Sequence, residues 1–115
     1  LGRTDTPVRL YGAADCLILP SRFEGFPLVA LEGAACGLPV LISQEGHPGD
    51  LVDGTTGFVL PRTPEAFAGA LADLGTSRER LQTLGMLAAE RARSFTWQRQ
   101  AKILETAFLE YASRP

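Results

Sequence analysis

Cysteine and histidine, which hold transition-metal ions and, for cysteine, form disulfides, are scarce in this chain. Its 115 residues include two cysteines, Cys16 and Cys36, and a single histidine, His47. Both cysteines lie in apolar stretches without a Cys-x-x-Cys or Cys/His neighbour, so we expect buried, reduced thiols. His47 stands in a segment rich in glycine and proline and is interpreted as a loop residue rather than a catalyst. Because the sequence has no Asp-x-Asp pair or His/Cys cluster, it predicts chemistry without a metal ion.

Excess positive charge and long apolar runs are also absent. The net charge is −2 and the isoelectric point is near 5.3, whereas a nucleic-acid partner calls for a basic surface. No apolar run reaches the ~18 residues that a membrane-spanning helix needs, and no signal peptide is visible. We therefore expect no nucleic-acid partner, no transmembrane segment and a cytoplasmic location, with peripheral association at the inner membrane face as a second option.

What the chain does contain is an alternation of short apolar runs and helical patterns. With 45% hydrophobic and 21% charged residues, it has the composition of a globular domain. Residues 16–19 and 40–42 are too short for helices and apolar throughout, which predicts strands buried on both faces, as in a parallel sheet. A third strand is predicted at 58–60, after a turn-rich segment.

Two helices are predicted around the first strand. Thr6 and Pro7 together form a helix-start signal. The second helix covers residues 27–36, because Pro27 is tolerated at a helix start and Gly37 is a common stop. Strands that alternate with helices predict an α/β fold, here a Rossmann-like three-layer sandwich with a parallel sheet. Since three strands are few for such a sheet, we expect further strands upstream of residue 1 and interpret the chain as part of a domain.

The rest of the chain, residues 63–115, is predicted to be helical. Thr63 begins one helix, Thr76 and Glu79 form a capping box for the next, and Thr96 caps the last. The last helix carries an apolar stripe that is expected to lie in the core. The stripe consists of Trp97, Ala101, Leu104, Phe108 and Tyr111.

The segment that points to a function is residues 20–32, between the first strand and the second helix. Ligands of open α/β sheets bind at the carboxyl ends of the strands, which is where this segment lies. Gly25 lets the backbone approach a ligand closely, and Pro27 presets the first turn of the helix. The N–H groups from Leu28 onward, together with the helix dipole, form an anion site suited to a phosphate.

Two carboxylates bracket this predicted anion site. Glu24 precedes the helix, and Glu32 lies roughly 7–8 Å down it at ~1.5 Å per residue. That offset is about the distance from a diphosphate to its ribose hydroxyls. Glu32 would therefore accept hydrogen bonds from those hydroxyls, while Glu24 would accept hydrogen bonds from hydroxyls of the transferred sugar. The alternative is that both are solvated surface acids. Glu32, however, interrupts an otherwise apolar helix, where an acid needs a partner or a cleft.

The same residues resemble a known family. Residues 24–32 closely resemble the E-x7-E motif of retaining GT-B glycosyltransferases, and an ordered series of segments around them is similar too. The matching segments are residues 11–15 before the strand, 19–21 at its end, 32–40 after the motif and 57–60 in the third strand. The resemblance covers residues 1–62 strongly and the helical tail weakly.

This resemblance implies the C-terminal, donor-binding domain of a two-domain enzyme, with residues 1–62 as an alternating core and residues 63–115 as terminal helices. The implied reaction is retaining transfer of a hexose from a nucleoside-diphosphate sugar to a carbohydrate or lipid-linked acceptor, which a preceding N-terminal domain binds. No cofactor is implied, and an upstream arginine and lysine are expected to neutralise the diphosphate. The resemblance gives Glu24 a catalytic role at the donor sugar and Glu32 the ribose. The other implied donor-binding residues are Gly25, Phe26, Pro27, Leu28 and Val29.

The chain departs from the family pattern at three places. Gly33 stands where alanine is common, at a helix cost of up to ~1 kcal/mol that close packing or ligand approach would explain. Pro27 stands where glycine is frequent. Asp50 ends a loop that often reads Gly-Gly-x-x-Glu, and the shorter acid puts a role for that loop in doubt.

Three other interpretations stay open from the sequence. A GT-B sugar phosphorylase or a nucleotide-sugar epimerase would share the fold, and an upstream pyridoxal lysine would mark a phosphorylase of the glycogen type. A non-catalytic nucleotide-sugar-binding module would lack the upstream arginine and lysine. The last is a fragment without independent function, and we expect the chain alone to be inactive.

Overall fold

The computed structural model describes residues 2–46 and 49–114. Within these two ranges, three strands form one sheet in the order β1–β2–β3, and both neighbouring pairs run parallel. The strands are β1 (Leu17–Leu19), β2 (Val40–Ser43) and β3 (Gly57–Leu60). The helices are α1 (Pro7–Gly12), α2 (Leu28–Ala35), α3 (Pro64–Gly75), α4 (Arg78–Ala92) and α5 (Trp97–Ala112), and single 3₁₀ turns cover Gln44–Gly46 and Gly49–Leu51.

The central strand β2 is the most enclosed element of the sheet. All four of its residues are buried, because strands pair with it on both sides and helices cover both faces. Val40 and Ile42 pack on one face with α2 and the second half of α4. Leu41 packs on the opposite face with Phe67 and Leu74 of α3. Helices on both sides of a parallel sheet confirm the predicted Rossmann-like sandwich.

The first strand is not buried on both faces, as had been predicted from its apolar sequence. Leu17 and Leu19 pack against the cluster beneath α2, but the side chain of Ile18 is 42% exposed. The reason is its place in the sheet, since within the described residues β1 pairs only with β2. On the face opposite α2, α3 lies against β3 and leaves Ile18 uncovered.

The second helix begins and ends within one residue of its predicted bounds. Pro27 is its N-cap rather than its first helical residue, and the carbonyl of Pro27 accepts the N–H of Ala30 at 2.9 Å. The helix ends at Ala35, and Gly37 follows with φ +82°, a left-handed conformation that favours glycine. The prediction that glycine stops this helix is therefore confirmed.

Two glycines set how closely α2 approaches its neighbours. A Cβ on Gly85 of α4 would lie 2.1 Å from the carbonyl oxygen of Gly37, so the two backbones meet where no side chain fits. Gly33 is buried against β1, and a Cβ there would lie 2.9 Å from Cδ2 of Leu17. Close packing thus favours glycine at position 33 without requiring it, because the flexible end of the Leu17 side chain could shift to admit a methyl group.

The caps of the C-terminal helices agree with the sequence in two of three places. The Thr63 and Thr96 hydroxyls each accept the N–H three residues further on, as predicted for α3 and α5. In α4 this role belongs to Ser77, so the predicted capping box of Thr76 and Glu79 is wrong. Thr76 instead ends α3, where its hydroxyl donates to a carbonyl of the last turn.

The last helix corrects the prediction that its apolar stripe lies in the core. Every residue of α5 is exposed, including Trp97 at 84% and Phe108 at 71%. Helical periodicity identifies which side chains share a face, but it does not supply the surface that covers them. Within the described residues, no other element packs along the length of this stripe.

The expectation of two buried cysteines is also corrected. Cys16 is partly buried, but Cys36 is exposed, so the expectation of two buried thiols holds for neither residue fully. Burial, with a smaller effect from the Asp15 carboxylate, raises the pKa of the Cys16 thiol. The helix start predicted from Thr6 and Pro7 is confirmed, since α1 begins at Pro7 with Thr6 as its N-cap residue, although the Thr6 side chain makes no capping hydrogen bond. In the two described ranges, no helix is both long and apolar enough to cross a membrane.

Candidate functional site

The candidate site lies where the carboxyl ends of β1 and β2 meet the loop that enters α2. Ser43 is the last residue of β2 and is fully buried. Its hydroxyl donates to the backbone carbonyl of Ser21, 22 residues earlier in the chain. A buried hydroxyl needs such a partner, and the bond ties the loop after β1 to the end of the neighbouring strand. The position matches the sheet edge that the sequence predicted for a ligand.

Glu24 is held by the same loop. The Ser21 hydroxyl donates to Oε1 of Glu24 at 2.6 Å, and the Glu24 side chain is partly buried. The two bonds form a chain from the buried Ser43 through Ser21 to the carboxylate. Neither serine was identified from the sequence as a partner of Glu24, although both are the small polar residues expected where a strand ends.

Glu32 lies on the outer face of α2, and this face is exposed although it includes the apolar side chain of Leu28. The partner that the sequence argument expected for this acid is Tyr11, whose hydroxyl donates to Oε2 of Glu32 at 2.7 Å. Burial, then the hydrogen bond to Glu32 and its charge, raise the pKa of Tyr11 to about 12. The phenol therefore remains a hydrogen-bond donor at neutral pH.

Between the two glutamates lies the first turn of α2. The Pro27 carbonyl accepts the N–H groups of Ala30 and Leu31. Among the described residues, the N–H groups of Leu28 and Val29 have no protein acceptor. Helix N-termini leave such donors unsatisfied, and the helix dipole adds partial positive charge there. This turn is therefore suited to hold an anion.

Gly25 and Phe26 connect Glu24 to this turn in different ways. Gly25 has no positive φ, and a Cβ built on it would meet no atom of the described residues within 4 Å, apart from its two chain neighbours. Neither backbone conformation nor packing thus requires glycine at this position. The Phe26 ring packs on Phe95, with ring centroids 5.7 Å apart, so the ring contributes to the structure while its backbone lies beside the helix start.

An apolar groove lies next to the site but does not contain the two acids. It runs between the start of α2 and the start of α5, and neither Glu24 nor Glu32 lines it. The groove is lined by Phe26, Leu28, Leu31, Phe95, Trp97 and Leu104, with two polar residues.

The described residues contain no group of three or more His, Cys, Asp or Glu side chains that could hold a metal ion.

The loop after β2 is tied to α4 by an arginine that the sequence did not single out. Arg91 donates to the Asp50 carbonyl at 2.6 Å and to the Asp53 carboxylate at 2.7 Å. Hydrogen bonds from the Thr55 hydroxyl and N–H, with a smaller effect from Arg91, lower the pKa of Asp53 to about 2. Asp50 itself is exposed, and His47 lies outside the described residues.

Comparison with curated proteins finds relatives along most of the chain. A D-inositol 3-phosphate glycosyltransferase from Paenarthrobacter aurescens is 39% identical over 105 residues, which cover 90% of this chain and 26% of the relative. One from Corynebacterium diphtheriae is 39% identical over 103 residues, covering 88% of this chain and 24% of the relative. The chain thus spans about a quarter of the length of these relatives.

The fold and the family agree with these similarities. A sucrose-phosphate synthase from Thermosynechococcus elongatus superposes with a TM-score of 0.76 at 31% identity, over 91% of this chain and 27% of that one. The sequence model of the family described as "Glycosyl transferases group 1" matches residues 1–77, more than half of the chain. The family resemblance inferred from residues 24–32 and their neighbours is therefore confirmed, and this chain belongs to the group 1 glycosyl transferases.

Proposed function

We propose that this chain forms part of the donor site of an enzyme that transfers a hexose from a nucleoside-diphosphate sugar to an acceptor, with retention of configuration. One arrangement carries the proposal. Glu24 and Glu32 stand on either side of the first turn of α2, where the Leu28 and Val29 N–H groups have no acceptor within the described residues. A donor of this class offers a sugar, a diphosphate and a ribose in the same order.

Each part of the donor has a proposed contact. The diphosphate oxygens accept from the Leu28 and Val29 N–H groups, which stabilise the negative charge that develops on the leaving group. Glu32 accepts from ribose hydroxyls, and Glu24 accepts from hydroxyls of the transferred sugar. Gly25 leaves room for the sugar, since the space where a Cβ would stand is open.

The rest of the site is proposed to come from other parts of the full-length protein. The resemblance implies an arginine and a lysine at the diphosphate and a second domain that binds a carbohydrate or lipid-linked acceptor. The relatives support a transferase, since both are named as glycosyltransferases. They are about four times as long as the part that aligns with this chain. We further propose that the reaction needs no cofactor and takes place in the cytoplasm, including the inner membrane face.

Donor kinetics of Glu24→Gln and Glu32→Gln in the full-length protein test this proposal. A contact to the ribose is about equal in ground and transition states, so Glu32→Gln should mainly raise the donor KM. The sugar changes charge and shape as its bond breaks, so Glu24→Gln should mainly lower kcat. A hydrogen bond to a charged group contributes about 1.5–3 kcal/mol, which predicts effects of about tenfold to over a hundredfold.

The matched control is Glu110→Gln, an exposed acid on α5. This variant should keep wild-type kinetics, and circular dichroism should confirm folding of all three variants. Near-normal kinetics for both site variants would make the two glutamates plain surface acids. Donor binding that depends on both glutamates, without turnover by the wild-type protein on any acceptor tried, would favour the non-catalytic binding module.

A further inference from the structure

Tyr11 makes a contact across the fold that neither helix propensity nor core packing explains. It is the one residue of α1 that is not exposed, and its hydroxyl reaches Oε2 of Glu32 at 2.7 Å, 21 residues along the chain. The six-residue helix α1 has no buried residue. Its last turn therefore brings a phenol to the one carboxylate on the outer face of α2.

The bond acts on a side chain that would otherwise move. An exposed glutamate samples several rotamers, and fixing it on ligand binding costs conformational entropy. A hydroxyl already bound to Oε2 restricts those rotamers before a ligand arrives and leaves Oε1 to accept from the ligand. Binding that is organised in advance is tighter because this cost is not met at the moment of association.

The donor of the bond persists over the working pH range. Burial and Glu32 raise the pKa of Tyr11 to about 12, so the phenol keeps its proton well above neutrality. The direction of donation is therefore fixed, from the Tyr11 hydroxyl to the carboxylate. A phenylalanine at this position would keep the ring and its packing and remove only that donor.

We propose that Tyr11 is a positioning residue that orients the Glu32 carboxylate for the ribose of a nucleoside diphosphate. The proposal rests on the donor site proposed above, and it adds a residue from a different helix to that site. According to this proposal, the preference for a ribose that carries its hydroxyls depends on Tyr11, whereas nucleotide binding in general does not.

The test measures binding of UDP, GDP and ADP to the full-length protein by calorimetry and continues with whichever binds most tightly. Its 2′,3′-dideoxy counterpart is the probe that lacks both ribose hydroxyls. Tyr11→Phe should raise the Kd of the ribose form about tenfold and leave the Kd of the dideoxy form unchanged. Tyr111→Phe is the matched control, because Tyr111 is 75% exposed on α5, and it should change neither value.

The outcomes separate this inference from the donor-site proposal. If Glu32→Gln abolishes the ribose preference but Tyr11→Phe retains it, Tyr11 has no positioning role and the donor site stands. Equal weakening of both probes by Tyr11→Phe indicates a merely structural role and also overturns the inference. If the wild-type protein shows no preference for ribose, or binds none of the three nucleotides, the donor-site proposal fails and the role of Tyr11 fails with it.

A spectroscopic readout checks the contact itself. In protein labelled with [¹³C]tyrosine, the resonance that is missing from Tyr11→Phe belongs to Tyr11, and its titration should give a pKa of about 12. Glu32→Gln should lower this pKa, because it removes the negative charge that opposes ionisation of the phenol. A Tyr11 pKa that is the same with and without the Glu32 carboxylate would contradict the proposed bond.

Discussion

The buried hydroxyl of Ser43 donates to the backbone carbonyl of Ser21, whose own side chain donates to Glu24. The end of β2 therefore holds the loop that carries the proposed catalytic acid. Because β2 is the central strand and fully buried, it is a rigid support for that loop. Ser43 therefore stabilises the sheet and also holds the loop that positions Glu24.

Ser43→Ala should lower both stability and kcat. The substitution leaves the Ser21 carbonyl without its partner, which costs about 1–3 kcal/mol in a buried setting. Chemical denaturation and donor kinetics of the full-length protein measure the two effects. Ser113→Ala is the control, since Ser113 makes the same kind of bond to a carbonyl but is exposed. Unchanged kcat in Ser43→Ala would show that the loop holds Glu24 without this bond.

Gly25→Ala should weaken donor binding without affecting stability. Apart from the two chain neighbours of Gly25, no atom of the described residues lies within 4 Å of the added methyl group, and φ is not positive, so the free energy of unfolding should stay within about 0.5 kcal/mol. In the proposed site the methyl group would occupy donor space. Wild-type donor KM and kcat in this variant would argue that the sugar lies elsewhere.

Gly85→Ala is the opposite case and should destabilise the fold. Its methyl group would stand 2.1 Å from the Gly37 carbonyl oxygen, and the backbone there cannot move without separating α2 from α4. Overpacking of this kind costs about 1–3 kcal/mol, although alanine is the better helix former. Thermal unfolding measures the loss. A melting temperature equal to that of the wild type would mean that the two helices separate at little cost.

Acid should remove part of the stability through Asp53. Its pKa is about 2 in the folded protein and 3.8 for the ordinary group, so its contribution is fully present above about pH 4. As pH falls from about 4 to about 2, that contribution is lost. Asp53→Asn should flatten the dependence of the urea midpoint on pH over this window, whereas exposed Asp5→Asn should not. Parallel curves for the wild type and Asp53→Asn would refute this assignment.

Activity of the full-length protein should survive EDTA. The proposed site meets the diphosphate charge with helix N–H groups and with cations from elsewhere in the protein, so a divalent ion has no assigned role. The measurement is the rate of transfer before and after chelation, with the nucleotide concentration held constant. Loss of activity that magnesium or manganese restores would reject metal independence.

Local sequence rules predicted the elements of this fold well. Short apolar runs predicted β1, β2 and β3, and Thr63, Thr96 and Gly37 marked helix ends where the structure has them. These features depend on neighbours within a few residues, namely apolar length, capping hydroxyls and the left-handed conformation of glycine. The spacing of Glu24 and Glu32 around the start of α2 follows from the same local rules.

Tertiary structure decided everything that depends on distant residues. Whether Ile18 and the stripe of α5 are covered depends on what packs against them, and an apolar pattern is the same in either case. The bond from Tyr11 to Glu32 joins residues 21 apart, so no local rule predicts it. The sequence alone thus determined the type and spacing of the residues that we propose for the chemistry, because type and spacing are local. The fold determined which hydroxyls hold them, because only the packed sheet and helices bring those partners within hydrogen-bond distance.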